Sequence, residues 1–115
     1  MMPGAEDQTT ANYAIACEFH GNDYQVSLSG RITIDSSPDV RNHLIERLRT
    51  ATANRVTIEF QNVSYIDTSG LAVLLELLKA AHDLGKSLRL RGLQERPRFL
   101  LESTGVLSLF DSEVA

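Results

Sequence analysis

The stretch Val63-Ser64-Tyr65-Ile66-Asp67-Thr68-Ser69-Gly70-Leu71-Ala72 gathers a carboxylate, two hydroxyls and a glycine where a β-like segment gives way to a helical one. Such a junction is an anion site, because the first amides of a helix lack partners within it and lie at the positive end of its dipole. A phosphate on Ser69 or Thr68 would be stabilised there, and Gly70 would leave room for another protein to approach. The same residues also have a purely structural account. Asp67 or Thr68 would be the N-cap, Ser69 a first-turn residue, and Gly70 small for close helix packing. Capping is the expected role of Asp67, while Ser69 stays open between a structural and a regulatory role; both roles can hold together.

Other chemistries find little support. Thirteen helical residues would separate Ser69 from His82 by about 20 Å, out of hydrogen-bond reach for a hydrolase triad that included Asp83. No glycine stands two residues before Ser69, so a nucleophile elbow is missing as well. His20 and His43 read as isolated surface histidines, and neither a P-loop nor a Gly-x-Gly-x-x-Gly motif is present. The single Cys17 has no disulfide partner, and no Cys/His spacing suits a metal, so a reducing, cytoplasmic setting without cofactor or metal is expected. Eleven basic against fifteen acidic residues, net charge -4, argue against nucleic acid. Arg89, Arg91, Arg96 and Arg98 form a local basic patch that solvated charge on an edge strand and its loop explains. The most apolar run, Leu71 to Leu78, is broken by Glu76, so neither membrane insertion nor secretion is indicated.

These residues need a scaffold, and the pattern supplies one. Residues 1–11 read as a loose lead-in to a single domain over 12–112. Tyr13 to Phe19 and Tyr24 to Leu28 read as strands joined by Gly21-Asn22-Asp23, with Gly30 ending the second. Ser37-Pro38-Asp39 opens a helix with Ser37 as cap, and Val40, Leu44, Leu48 and Ala51 form its apolar stripe. Arg55 to Phe60 is a strand, and Gln61 to Ile66 leads into a helix over Ser69 to Leu84 that Gly85 stops. Lys86 to Arg91 is a strand, Pro97 to Ser103 a short helix, and Gly105 its end. The order β-β-α-β-α-β-α predicts an α/β fold, a small mixed sheet with helices packed mainly on one face. Ser69, Ala72, Val73, Glu76 and Ala80 share one helical face, a candidate docking surface that starts at the hydroxyl; a fully buried central helix is the alternative.

Taken together, the Asp67-Thr68-Ser69-Gly70-Leu71-Ala72 run, Val56 to Phe60 and Val26-Ser27-Leu28-Ser29-Gly30 resemble the STAS domain of bacterial anti-sigma factor antagonists. The resemblance spans about Tyr13 to Phe110. It implies a single STAS-like domain that is not an enzyme, whose unphosphorylated form binds an anti-sigma factor that is also a GHKL-type serine kinase. Phosphorylation by that kinase would end binding, and a serine phosphatase would restore it. By position the phosphoacceptor falls on Ser69, with Thr68 as second candidate, and the partner-binding set on Thr33, Asp35, Asp67, Thr68, Ser69, Gly70, Leu71, Ala72, Val73 and Glu76. Thr33 stands where many such antagonists carry an Asp, and Asp35 lies two residues on. The resemblance extends to STAS accessory subunits of membrane lipid-transport ATPases, an alternative against which the retained Ser69 speaks. Oligomeric state is left open between monomer and weak dimer.

Overall fold

The computed structural model describes residues 8–9 and 13–110. Five strands, β1 (Gln8–Thr9), β2 (Tyr13–His20), β3 (Asp23–Ile32), β4 (Arg55–Ile66) and β5 (Ser87–Arg91), lie side by side in sequence order. Pairing is antiparallel from β1 to β3 and parallel from β3 to β5, so the sheet is mixed. Helices α1 (Ser37–Thr50) and α2 (Thr68–Asp83) form the two crossovers, and α3 (Glu95–Ser103) with a short 3-10 turn (Leu107–Leu109) follows. From β2 to α3 this is the element order the sequence predicts; β1 is an edge strand the sequence reading did not include. Most of the expected lead-in lies outside the described residues, but within it Gln8 and Thr9 pair with Ile15 and Ala14.

The sheet has two unlike faces. On one, Val26, Val56, Ile58 and Leu88 lie under Leu44 and Leu48 of α1 and Leu77 of α2; Leu28 and Phe60 continue the layer beneath Val40, Val73 and Leu74. All of these are buried, each contributing about 1.5–3 kcal/mol for the larger side chains. The opposite face is polar: the Thr57 hydroxyl donates to Asp23 at 3.0 Å, Arg89 lies 3.7 Å from Asp23, and Arg91 pairs with Glu59 at 3.2 Å. Arg98 pairs with Glu102 one helical turn on, at 3.6 Å. Three of the four arginines in the sequence-level basic patch are thus engaged in ion pairs.

Two strands run further than their sequence suggests, for a shared reason. The β3–β4 register shifts twice, from Ser27↔Glu59 to Ser29↔Asn62 and from Gly30↔Val63 to Arg31↔Tyr65, each time with an extra residue on β4. These bulges change the buried positions of β4 to Phe60, Val63 and Ile66, a spacing of three that conceals a strand when alternation is the test. The segment Gln61 to Ile66 is therefore strand rather than lead-in. Gly30 does not end β3; it adopts φ 99° beside the second shift, a conformation glycine reaches without strain, and the strand continues to Ile32. Ser37 is also not the cap of α1. Ser36 holds that position without capping, because its hydroxyl accepts from the Thr33 amide at 3.1 Å and bonds the Arg31 carbonyl at 3.1 Å.

One lysine closes the connection into β4. The Lys86 ammonium donates to the carbonyls of Ala51 and Ala53 at 2.8 and 2.7 Å, both in the loop between α1 and β4. Lys86→Met keeps the aliphatic stem and leaves both carbonyls without that donor. It is expected to cost about 1.5–3 kcal/mol, read as a lower urea midpoint at unchanged slope.

Candidate functional site

The carboxyl ends of β3 and β4 lie next to each other, Ile32 paired with Ile66, so the loops into α1 and α2 emerge together. Asp67 sits between them in extended conformation as the N-cap of α2. Its Oδ1 accepts from the Ser69 and Gly70 amides at 2.9 and 3.2 Å and from the Ser69 hydroxyl at 2.5 Å. Its Oδ2 accepts from the Ile34 amide at 3.1 Å, and its own amide donates to the Ile32 carbonyl at 3.2 Å. One carboxylate thereby caps the helix, orients the candidate hydroxyl and ties down the β3–α1 loop. The Ser69 hydroxyl bond is the chief cause holding the Asp67 carboxyl below its usual range; partial desolvation pushes the other way, and the Gly70, Ser69 and Ile34 amides add to the lowering.

Ser69 is half-buried, open to solvent on one side, whereas Thr68 is exposed and its hydroxyl has no hydrogen bond among the described residues. The two hydroxyls of the motif differ accordingly: one is held by a carboxylate, the other is free beside a groove formed with Tyr65, Arg96 and Phe99. Of the other expected partner-binding residues, Asp35, Ala72 and Glu76 are exposed, and Thr33 and Leu71 are half-buried. Thr33 organises its loop through its carbonyl, which accepts from the Ser36 and Ser37 amides at 3.0 and 2.7 Å. Glu76 is tied to Arg41 of α1 at 2.6 Å, and the bond holds its carboxyl below the usual range.

Two members of the expected docking set belong to the interior. Val73 is 5% exposed and packs in the core, because the helical face shared with Ser69 turns inward one turn along α2. Gly70 is buried against β3: a Cβ there would lie 3.1 Å from the Ile32 carbonyl oxygen and 3.2 Å from the Ile66 Cβ. Its role is close packing, not an opening for a partner. What the sequence reading passed over is Ile34, 72% exposed on the loop fastened to Asp67. The signal was present, an isolated apolar residue between Thr33 and Asp35 with no periodic partner. Phe99, 70% exposed on α3, was also passed over.

The fold and site together define a small α/β module with a carboxylate-held serine at the mouth of a central helix. The family model described as "Mlab, STAS domain" matches residues 15–110. An anti-sigma-B factor antagonist of Bacillus subtilis is 33% identical over 90 residues, covering 78% of this chain and 81% of that protein. Among solved structures, an anti-sigma factor antagonist from Mycobacterium paratuberculosis superposes with a TM-score of 0.78 at 16% identity, over 90% of this chain and 85% of the other. The phosphorylated form of the Bacillus cell fate determinant SpoIIAA gives 0.65 at 14% identity, over 88% and 90%. The chain belongs to the STAS-domain family, and it is not an enzyme. Among the described residues no helix is long and apolar enough to cross a membrane.

The hydrogen bonding of Asp67 makes stability depend on pH in a definite direction. A carboxyl lowered in the folded state contributes stability above its unfolded pKa of about 3.9, which is lost as pH falls through the folded value. Direct NMR titration of the Asp67 side chain should give a midpoint below the usual carboxylate range. In Ser69→Ala, which removes the principal cause, the midpoint should rise towards that range, and the acid-side loss of stability due to Asp67 should be smaller and complete at higher pH.

Proposed function

We propose that this chain is a cytoplasmic anti-sigma factor antagonist. Its unphosphorylated form binds an anti-sigma factor that is also a GHKL-type serine kinase and so releases the sigma factor; phosphorylation of Ser69 ends the binding, and a serine phosphatase restores it. The observation that carries the reading is half-buried Ser69, its hydroxyl held by Asp67 at the start of α2. It occurs in a chain one-third identical to an anti-sigma-B factor antagonist.

The chemistry follows from the site. In transfer, the Ser69 oxygen bonds to the γ-phosphorus of ATP held by the kinase, the bond to the β-phosphate oxygen breaks and ADP leaves. Asp67 orients the hydroxyl but is a poor proton acceptor, since its hydrogen bonds favour the ionised form. The serine proton therefore leaves to a base of the kinase. The product places a dianion beside the Asp67 carboxylate on a surface otherwise formed by Ile34, Thr68 and Ala72. A partner fitted to that surface would meet both desolvation and repulsion. A penalty of several kcal/mol corresponds to a loss of roughly two to four orders of magnitude in affinity.

Incubation with a GHKL kinase from the same cell and ATP, followed by phosphosite mass spectrometry, should place phosphate on Ser69. Ser69→Ala should keep partner affinity while blocking modification, and Ser69→Asp should weaken binding by tenfold or more, measured by calorimetry (about 1.4 kcal/mol per decade). Equal affinities for the two variants would overturn the switch. Affinity capture that returned a transporter ATPase and no sigma regulator would assign the chain instead to the accessory subunits of lipid-transport ATPases.

A further inference from the structure

We infer that Ile34 is the apolar anchor of the interface around Ser69, the side chain that seats in an apolar socket of the anti-sigma kinase and gives the unphosphorylated form its affinity. The inference rests on the partner-switching reading above and names the residue that holds the partner which the phosphate would repel.

Position carries the argument, since a single exposed apolar side chain is ordinary on a protein surface. The two oxygens of one carboxylate hold the Ile34 amide at 3.1 Å and the Ser69 hydroxyl at 2.5 Å. Amide nitrogen and serine oxygen therefore stand within about 8 Å of each other, whatever the bond angles. A protein interface of ordinary size covers about 800 Å² on each partner, a patch roughly 30 Å across. The switch requires Ser69 well inside that patch, where a phosphate cannot turn into water, so the same partner covers Ile34. Its side chain is 72% exposed, more than any other large apolar residue among those described.

The loop beneath that side chain is held on all sides. The Thr33 amide donates to the Ser36 hydroxyl oxygen, the Thr33 carbonyl accepts from the amides of Ser36 and Ser37, and the Ser36 hydroxyl donates to the Arg31 carbonyl. Ser36 and Ser37 are themselves buried, which roots the turn in the protein. With the Ile34 amide fixed on Asp67, the backbone has little freedom left to lose on association, and a β-branched side chain has few rotamers to lose. None of these bonds involves the Ile34 side chain; another residue's amide would serve Asp67 as well. The fold accounts for the rigid loop but not for the apolar group displayed on it.

Anchor and switch are chemically separate. An aliphatic side chain offers nothing to the charge that develops during phosphoryl transfer, so its burial favours the bound ground state and the transition state equally. Its loss should raise KM for phosphorylation of Ser69 and leave kcat unchanged.

The test uses the full chain and the anti-sigma kinase that copurifies with it, followed by calorimetry and by the kinetics of Ser69 phosphorylation. Ile34→Ala should weaken binding of the unphosphorylated chain about tenfold or more and raise KM by a similar factor at unchanged kcat; Ile34→Leu should stay within a few-fold of the unaltered chain. Leu84→Ala serves as control. Leu84 is 44% exposed but lies past the far end of α2, about 22 Å from Ser69 at 1.5 Å per residue, and its loss should leave affinity unchanged. Matching thermal melts would exclude unfolding as the cause. If Ser69→Asp abolishes binding while Ile34→Ala binds normally, the anchor is overturned and the switch stands. If Ile34→Ala weakens binding while Ser69→Ala and Ser69→Asp bind equally, the anchor stands and the switch falls. Equal losses in Ile34→Ala and Leu84→Ala, or a lower kcat at unchanged KM in Ile34→Ala, would also overturn the anchor.

Discussion

The arrangement depends on the ionised carboxylate of Asp67. Four donors from two separate segments converge on it: the amides of Ser69 and Gly70, the Ser69 hydroxyl, and the amide of Ile34. The Ser69 and Gly70 amides would be obliged to find other partners if it were absent, because helix-start amides have none within the helix. The residue that makes the helix possible is therefore the residue that positions the serine. At the level of sequence the motif has a structural and a regulatory account that can hold together; the hydrogen-bond network shows the structural one and leaves the proposed one compatible with it.

Position in the sheet explains why the network can form. In parallel strands the carboxyl ends share one edge, and loops leaving that edge meet over the start of the next helix. Here β3 and β4 end together at Ile32 and Ile66, and the amide of Asp67 completes the pairing by bonding the Ile32 carbonyl. Gly70 makes the approach close enough, since any larger residue would press on that same carbonyl. The opposite, polar face of the sheet has a different character: Arg89 and Arg91 are paired with Asp23 and Glu59. Arg31 and Arg96 lie over the ring of Tyr65, which lines one groove with Asp67.

The order and type of the elements were legible because each rests on a local signal. Proline and acid opened α1, alternation marked β3 and β5, and Gly85, at φ 72°, closed α2. The carboxylate cap and the serine beside it were legible too, since a cap and its amides are two or three residues apart. What failed was non-local. The bulges in β4 arise from its register against β3, and no pattern within Gln61 to Ile66 announces them. Val73 appeared available on a helical wheel, but α1 packs over that side of α2. The groove at Phe99 needs β4 and α3 side by side, a juxtaposition that neither segment encodes alone.

The same geometry decides what kind of switch the serine can be. A phosphate on Ser69 would remove the hydroxyl donor from Asp67, but the three amide donors, including that of Ile34, would remain. Helix cap and loop tether run from backbone amides to the Asp67 carboxylate, not from the serine hydroxyl, and Gly70 stays packed against Ile32. Modification would thus alter charge at the surface without dismantling the elements beneath it. A domain whose unmodified and modified forms share one backbone can exchange partners reversibly, because each form remains folded and differs chiefly in the field it presents.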